Sequence, residues 1–290
     1  MSAFDRYPRV INQIEELPER EQHALQTVMP QGGCEGIVFF PPFDNSLSRL
    51  PVGRHKAAEA DEPHAQIWAY KGRQLCVLAA EHDTISGKLV ALDNILTFEL
   101  GEILLHSWIE LKANSANETC TTRVEFNSVG MRWLEPLIEM LRGQCSHAIS
   151  ETPVQFPPEL QAQITRLPYK WKVILRDELG ATGEPLIAFA YEPSVPRRLF
   201  WRGGREGHLL ILTPKRFVKI TEPLESYPHG KVATWYLRAG VQAVSFDTTD
   251  RGARLDITFA APIPPLQIEM RQNHVQELQA VADGLAAKRG

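Results

Sequence analysis

The chain reads as one unit written twice, and a tandem repeat leaves few folds open to it. Gln13-Ile14-Glu15-Glu16-Leu17-Pro18 recurs as Gln163-Ile164-Thr165-Arg166-Leu167-Pro168, an offset of 150. Glu35 to Phe40 faces Glu184 to Phe189 at an offset of 149, and Gly87-Lys88-Leu89-Val90 faces Gly230-Lys231-Val232-Ala233 at 143. Val124-Glu125-Phe126 faces Ile268-Glu269-Met270 at 144, and Leu134, Ile138 and Leu141 face Leu278, Ala282 and Leu285 at the same offset. The matches keep their order, and the drift is what loops of unequal length between two copies produce. The expected units are 1–147 and 150–290, joined by the proline-bearing segment from His147 to Pro158.

Each copy has the same grammar. A helix is expected first, on Ile11, Ile14 and Leu17 in one copy and on Leu160, Ile164 and Leu167 in the other, spacings near 3.6. Short runs rich in Val, Ile, Leu, Phe and Trp follow, many of them alternating apolar with polar. Lys71-Gly72, Ser86-Gly87, Thr213-Pro214 and Asp250-Arg251-Gly252 separate them as turns. Each copy closes on a helix: Trp133, Leu134, Leu137, Ile138 and Leu141 form one stripe, and Val275, Leu278, Val281, Ala282 and Leu285 the other. Asn127 or Ser128, and Asn273, are the expected N-caps. No helical crossovers separate the strands, so a parallel α/β sheet is excluded. The expected class is α+β, mainly antiparallel: two small sandwiches or partly open barrels, each with an opening helix and a C-terminal capping helix.

The second copy resembles the bacterial pleckstrin-homology (PH-like) family. Leu209-Leu-Ile-Leu-Thr-Pro-Lys-Arg-Phe-Val-Lys-Ile220 is similar to that family's hairpin, an apolar strand, a Thr-x-Lys-Arg turn and a second apolar strand. Gly230 to Leu237 and Val241 to Phe246 resemble its next two strands, and Asn273 to Ala287 its closing helix. The first copy has Tyr70-Lys71-Gly72-Arg73-Gln74 in place of the Thr-x-Lys-Arg turn and joins the family through the repeat. The resemblance implies a fold that binds proteins or lipid headgroups, with no catalytic residues.

Composition excludes several classes. At 43% hydrophobic and 23% charged the chain can bury a core, and a net charge of −4 speaks against a general nucleic-acid binder. No apolar run approaches the roughly 18 residues that span a bilayer. The polar, acidic start MSAFDRYPRVINQIEELPERE reads as no signal peptide. Cys34, Cys76, Cys120 and Cys145 lie far apart, as in a reduced, cytoplasmic chain with buried thiols. There is no glycine-rich dinucleotide or P-loop pattern, no GxSxG and no HExxH. No cofactor and no metal are expected. Glu81-His82-Asp83 is the one histidine flanked by acids, and it reads either as a polar turn or as part of an enzyme cleft completed from elsewhere. Cys145-Ser146-His147 reads as the frayed end of a helix, and Cys76 as a core thiol.

Charge divides unevenly. Residues 1–150 carry a net −7 and residues 151–290 a net +3. The sharpest local feature lies in the positive half: Arg197, Arg198, Arg202 and Arg205 fall within nine residues around Phe200, Trp201 and the Gly203-Gly204 pair. Guanidinium forks suit phosphate and carboxylate. The candidate anion- or partner-binding residues are Arg198, Arg202, Arg205, Lys215 and Arg216, with Lys219 as a further contributor. The same residues also fit an edge strand with arginines turned out for solubility. The corresponding stretch of the first copy, Phe43 to His64, carries Arg49, Arg54 and Lys56 followed by Glu59, Asp61 and Glu62. The reading is a non-enzymatic cytoplasmic binding or scaffold protein. The alternatives are an anionic-headgroup binder at the inner membrane face and an enzyme near His82.

Overall fold

A computed structural model describes residues 6–29, 33–43, 64–81, 84–103, 105–114, 119–143, 156–195, 204–223 and 230–287. The chain divides into two compact units, Met1–Gln144 and Cys145–Gly290. Both are built of antiparallel sheets and a few helices, and no sheet closes into a barrel among the described residues.

Unit one opens with strand β1 (Arg9–Ile11), a 3-10 turn (Ile14–Glu16) and helix α1 (Glu19–Val28). Strands β2 (Gly36–Phe40), β3 (Gln66–Lys71), β4 (Gln74–Glu81) and β5 (Thr84–Ala91) follow, and β1 to β5 pair in order. The β3–β4 turn uses Gly72 at a φ of +55°, where a side chain is strained. Strands β6 (Ile95–Ile103), β7 (His106–Asn114) and β8 (Thr119–Asn127) form a second antiparallel run. A 3-10 turn (Ser128–Trp133) and helix α2 (Glu135–Gly143) close the unit.

The nearly unbroken apolar runs of β2, β3 and β4 are what burial on both faces requires. On one face Ile37, Ile67, Ala69, Cys76 and Leu78 pack with Ile11, Leu17 and Leu25. On the other, Phe40 meets Trp68 and, from β8, Phe126, with ring centroids 5.7 Å apart in both pairs. The Gln66 amide donates to the Arg123 carbonyl at 2.8 Å and ties β3 to β8.

The opening helix is not where the apolar spacing puts it. Ile11 belongs to β1, paired with Ile37, and Ile14 to the 3-10 turn. A residue before proline is pushed out of the helical region. Leu17 is accordingly extended (φ −79°, ψ 152°), and Pro18 caps α1 instead of ending a helix. Unit two repeats the device. Leu160 and Ile164 do lie on a helix, α3 (Pro158–Arg166), which stops at Leu167-Pro168. Pro168 then caps helix α4 (Tyr169–Gly180), which the apolar spacing did not announce.

Unit two continues with β9 (Ala188–Glu192), β10 (Gly207–Leu212), β11 (Arg216–Glu222) and β12 (Lys231–Leu237), each antiparallel to the next. Strands β13 (Val241–Thr249), β14 (Gly252–Phe259) and β15 (Leu266–Arg271) form a three-stranded sheet, followed by α5 (Val275–Ala286). Helix α4 covers one face of β9–β12. Trp171 meets Tyr191 at 5.3 Å between rings, and the Trp235 indole donates to Glu178 at 2.9 Å. Helix α5 buries Leu278, Val281, Ala282 and Leu285. Its Gly284 sits where a Cβ would come within 2.5 Å of Leu212, and the Gly284 carbonyl accepts from Arg238. The N-cap of α5 is His274, one residue past the expected Asn273 and without a side-chain bond. In unit one the Asn127 side chain accepts from the Val129 N–H at 3.0 Å and caps the 3-10 turn.

Candidate functional site

Helix α5 meets the β10 strand at Leu212, its last residue. At the other end of β10 the sheet turns polar. Register places Glu192 and Thr221 on either side of His208, and Lys219 beside Leu210. Strand alternation puts Glu192, His208 and Lys219 on one face, the face that carries Leu210 and Leu212 toward α5. These three side chains, with Arg205 and Glu206 ahead of β10 and Gln267, Ile268 and Glu269 on β15, line a hollow of about 410 Å³.

Each wall has a local cause. Val195 and Arg205 exchange backbone hydrogen bonds of 2.9 Å in both directions, which pins Arg205 beside the end of β9. Gly207 is required there: a Cβ would come within 2.7 Å of the Ser194 nitrogen. Glu192 is 2% exposed, and its carboxylate accepts from the Arg271 N–H at 3.0 Å and from Arg271 Nε at 2.6 Å. Burial, then the Lys219 cation, holds the His208 imidazole down at about 4, so it is neutral near pH 7. Its Nδ1 lies 3.5 Å from the Thr221 hydroxyl.

The hollow therefore mixes signs. Arg205 and Lys219 are cationic, and Glu192, Glu206 and Glu269 are anionic, with Glu192 matched by Arg271. Its lining contains no serine or cysteine beside a base. Among the described residues no three His, Cys, Asp or Glu side chains group as a metal would need.

The structure separates the residues that the charge run joined. Arg205 lines the hollow, and Arg198 and Arg202 lie outside the described residues. Lys215 is exposed at the β10–β11 turn, beyond the far end of β10. That strand has six residues, roughly 20 Å at about 3.3 Å each. Arg216 stands at the same far end and is withdrawn from solvent at 1% exposure, its Nε 3.6 Å from Glu184. Thr213 donates to Glu184, and its own N–H bonds the Arg216 carbonyl at 2.9 Å, so Arg216 closes a buried turn. Its side chain is thus no part of an exposed basic surface. Lys219 does reach the hollow with Arg205. Glu192, His208, Gln267 and Glu269 carry no sequence signal as a group, since only strand register brings them together. His82 and Asp83 lie outside the described residues, as does Cys145-Ser146-His147. Cys76 is fully buried, and burial followed by the neighbouring Cys34 pushes its thiol up to about 12.

Unit one carries a different charged cluster, on the exposed side of β7 and β8. His106 Nε2 lies 3.2 Å from Glu125, and Arg123 reaches Glu125 at 2.9 Å and Glu110 at 3.3 Å. The His106 hydrogen bond, with the Arg123 charge, pulls Glu125 down to about 2. Arg123 lies over the Trp108 ring at 4.9 Å. The members of this cluster satisfy one another.

Compared with known proteins, the chain matches no family model and no curated sequence.

Proposed function

We propose that the protein is a non-enzymatic binding or scaffold module made of two PH-like units, acting on a protein partner in the cytoplasm. The observation that carries the reading is the element order. Unit one runs four antiparallel strands (β2–β5), three more (β6–β8) and then α2, and unit two runs four (β9–β12), three (β13–β15) and then α5. This is the order that the resemblance leads one to expect, and a fold of that kind presents surfaces for partners.

No helix among the described residues is long and apolar enough to cross a membrane. The headgroup alternative draws on Arg205 and Lys219, but Glu206 and Glu269 line the same hollow and work against a polyanion. Titration of the full chain against neutral and anionic vesicles at two salt concentrations tests the choice. The scaffold reading expects equal, weak binding to both. Binding to anionic vesicles alone that falls with salt and is lost in Arg205→Ala/Lys219→Ala moves the protein to the membrane surface.

A further inference from the structure

We infer that the hollow of unit two takes a short extended peptide, which adds as a further strand along the outer edge of β15 with an acidic side chain turned inward toward Lys219. The inference deepens the binding reading by naming a site and a partner chemistry.

Gln267, Ile268 and Glu269 are consecutive, and all three line the hollow. Successive strand residues point to opposite faces. Three in a row line one hollow when the strand turns its edge, and so its backbone, toward it. Strand β15 ends its sheet among the described residues, with β14 on its other side.

The parity of that edge follows from one bond. The Arg271 N–H points away from β14 and donates to the Glu192 carboxylate at 3.0 Å. In an antiparallel pair the outward groups recur at every second residue. The N–H and C=O groups of Glu269 and Gln267 therefore point outward as well. Glu192 receives the Arg271 N–H as the carbonyl of an added strand would, and it closes one end of the groove. Two outward positions remain, Gln267 and Glu269, enough to register a peptide of a few residues. The volume, about 410 Å³, is in the range of ordinary ligand sites.

Charge selects the sequence. A peptide on this edge alternates its side chains between the interior and the solvent face. The interior wall offers the Lys219 cation beside the neutral His208. The solvent face offers Glu269, which is exposed. The fitting occupant carries a carboxylate inward and basic residues on the positions flanking it. A polyphosphate fits poorly, because Glu206 and Glu269 stand at the rim.

The test is nuclear magnetic resonance on the isotope-labelled full chain. The probe is the peptide Lys-Glu-Lys-Val-Lys, blocked at both ends, with the sign-reversed Glu-Lys-Glu-Val-Glu as its control. The first peptide should shift the Gln267 and Glu269 amide signals and slow their hydrogen exchange. The control should bind roughly fivefold more weakly or worse, since opposed pairs become like pairs. Glu269→Pro removes the outward N–H without touching the β14 ladder and should abolish binding, while Glu269→Gln keeps the N–H and most of the affinity. No change at those two amides at millimolar peptide, shifts confined to another surface, or wild-type binding by Glu269→Pro would each overturn the proposal. If Glu269→Pro does not fold, the exchange measurement on the wild type decides. A failed peptide titration removes this edge and leaves the vesicle experiment standing as the separate test of the binding reading.

Discussion

Strands β2 and β9 are the first long strands of their units, and their outer edges are finished differently. The edge of β2 is covered by β1, whose three residues pair with Phe39, Val38 and Ile37. Among the described residues β9 carries no such strand, and its last residue, Glu192, reaches across to Arg271 on β15. One repeated pattern thus gives one unit with a covered edge and one with a polar hollow beside its edge. The difference lies in what the chain does before the repeat-defining Leu-Pro. Unit one places a strand there, and unit two places α3. A repeat fixes the core more tightly than the edges, because core positions answer to many neighbours and edge positions to few.

The shared part of the plan is tested by cutting into both cores. Leu25 is 1% exposed under α1 and Leu278 is fully buried under α5. Leu25→Ala and Leu278→Ala should each cost about 2–5 kcal/mol in denaturant unfolding, from lost transfer energy and the cavity left behind. An unchanged midpoint for either would show that its helix does not complete that core.

The pH response separates the units next. His208 has its pKa lowered from 6.5 to about 4, so the unfolded chain binds its proton first. Unit two should be fully stable above pH 6.5 and lose up to about 3 kcal/mol as pH falls toward 4. His208→Gln should flatten that slope. Glu125 is lowered from 4.5 to about 2, so its contribution to unit one is present above pH 4.5 and is lost only as pH falls from there toward 2. Calorimetry across this range should show unit two weakening first. Simultaneous loss in wild type and His208→Gln would remove the distinction.

The edge itself comes next in size. Glu192→Ala breaks the carboxylate link between β9 and β15 and should cost about 2–3 kcal/mol, the worth of hydrogen bonds to a charged group. The smallest effect belongs to the exposed Arg73–Asp93 pair of unit one, whose side chains are 45% and 61% exposed. Arg73→Ala should change stability by at most about 1 kcal/mol, and less in high salt. A larger loss would mean that the β3–β4 turn depends on this pair.

The mainly antiparallel character was legible because the strands announce themselves one at a time, as in Leu209 to Leu212 and Phe217 to Ile220. Helix α4 was not. Its buried stripe of Trp171, Leu175, Glu178 and Leu179 includes a carboxylate that is buried only because the Trp235 indole, 57 residues away, donates to it. The site was half legible for a similar reason. Arg205, Lys215 and Arg216 are near neighbours in the sequence, yet β10 carries the last two to the opposite end of the sheet. Arg216 belongs to Glu184, which no local pattern pairs with it. Glu192, His208 and Gln267 meet through register, which a single sequence does not display.

The thiol of Cys76 turns unit one into its own timekeeper. It lies on the sheet face that packs with Leu17 and Leu25, and it is closed to solvent, whereas Cys34 and Cys120 are half-buried. An alkylating reagent that consumes the two half-buried thiols must wait for the Cys76 face to open. The slow phase of the labelling reaction then counts how often that face is uncovered, and comparing it with global unfolding shows whether it opens alone or with the whole unit.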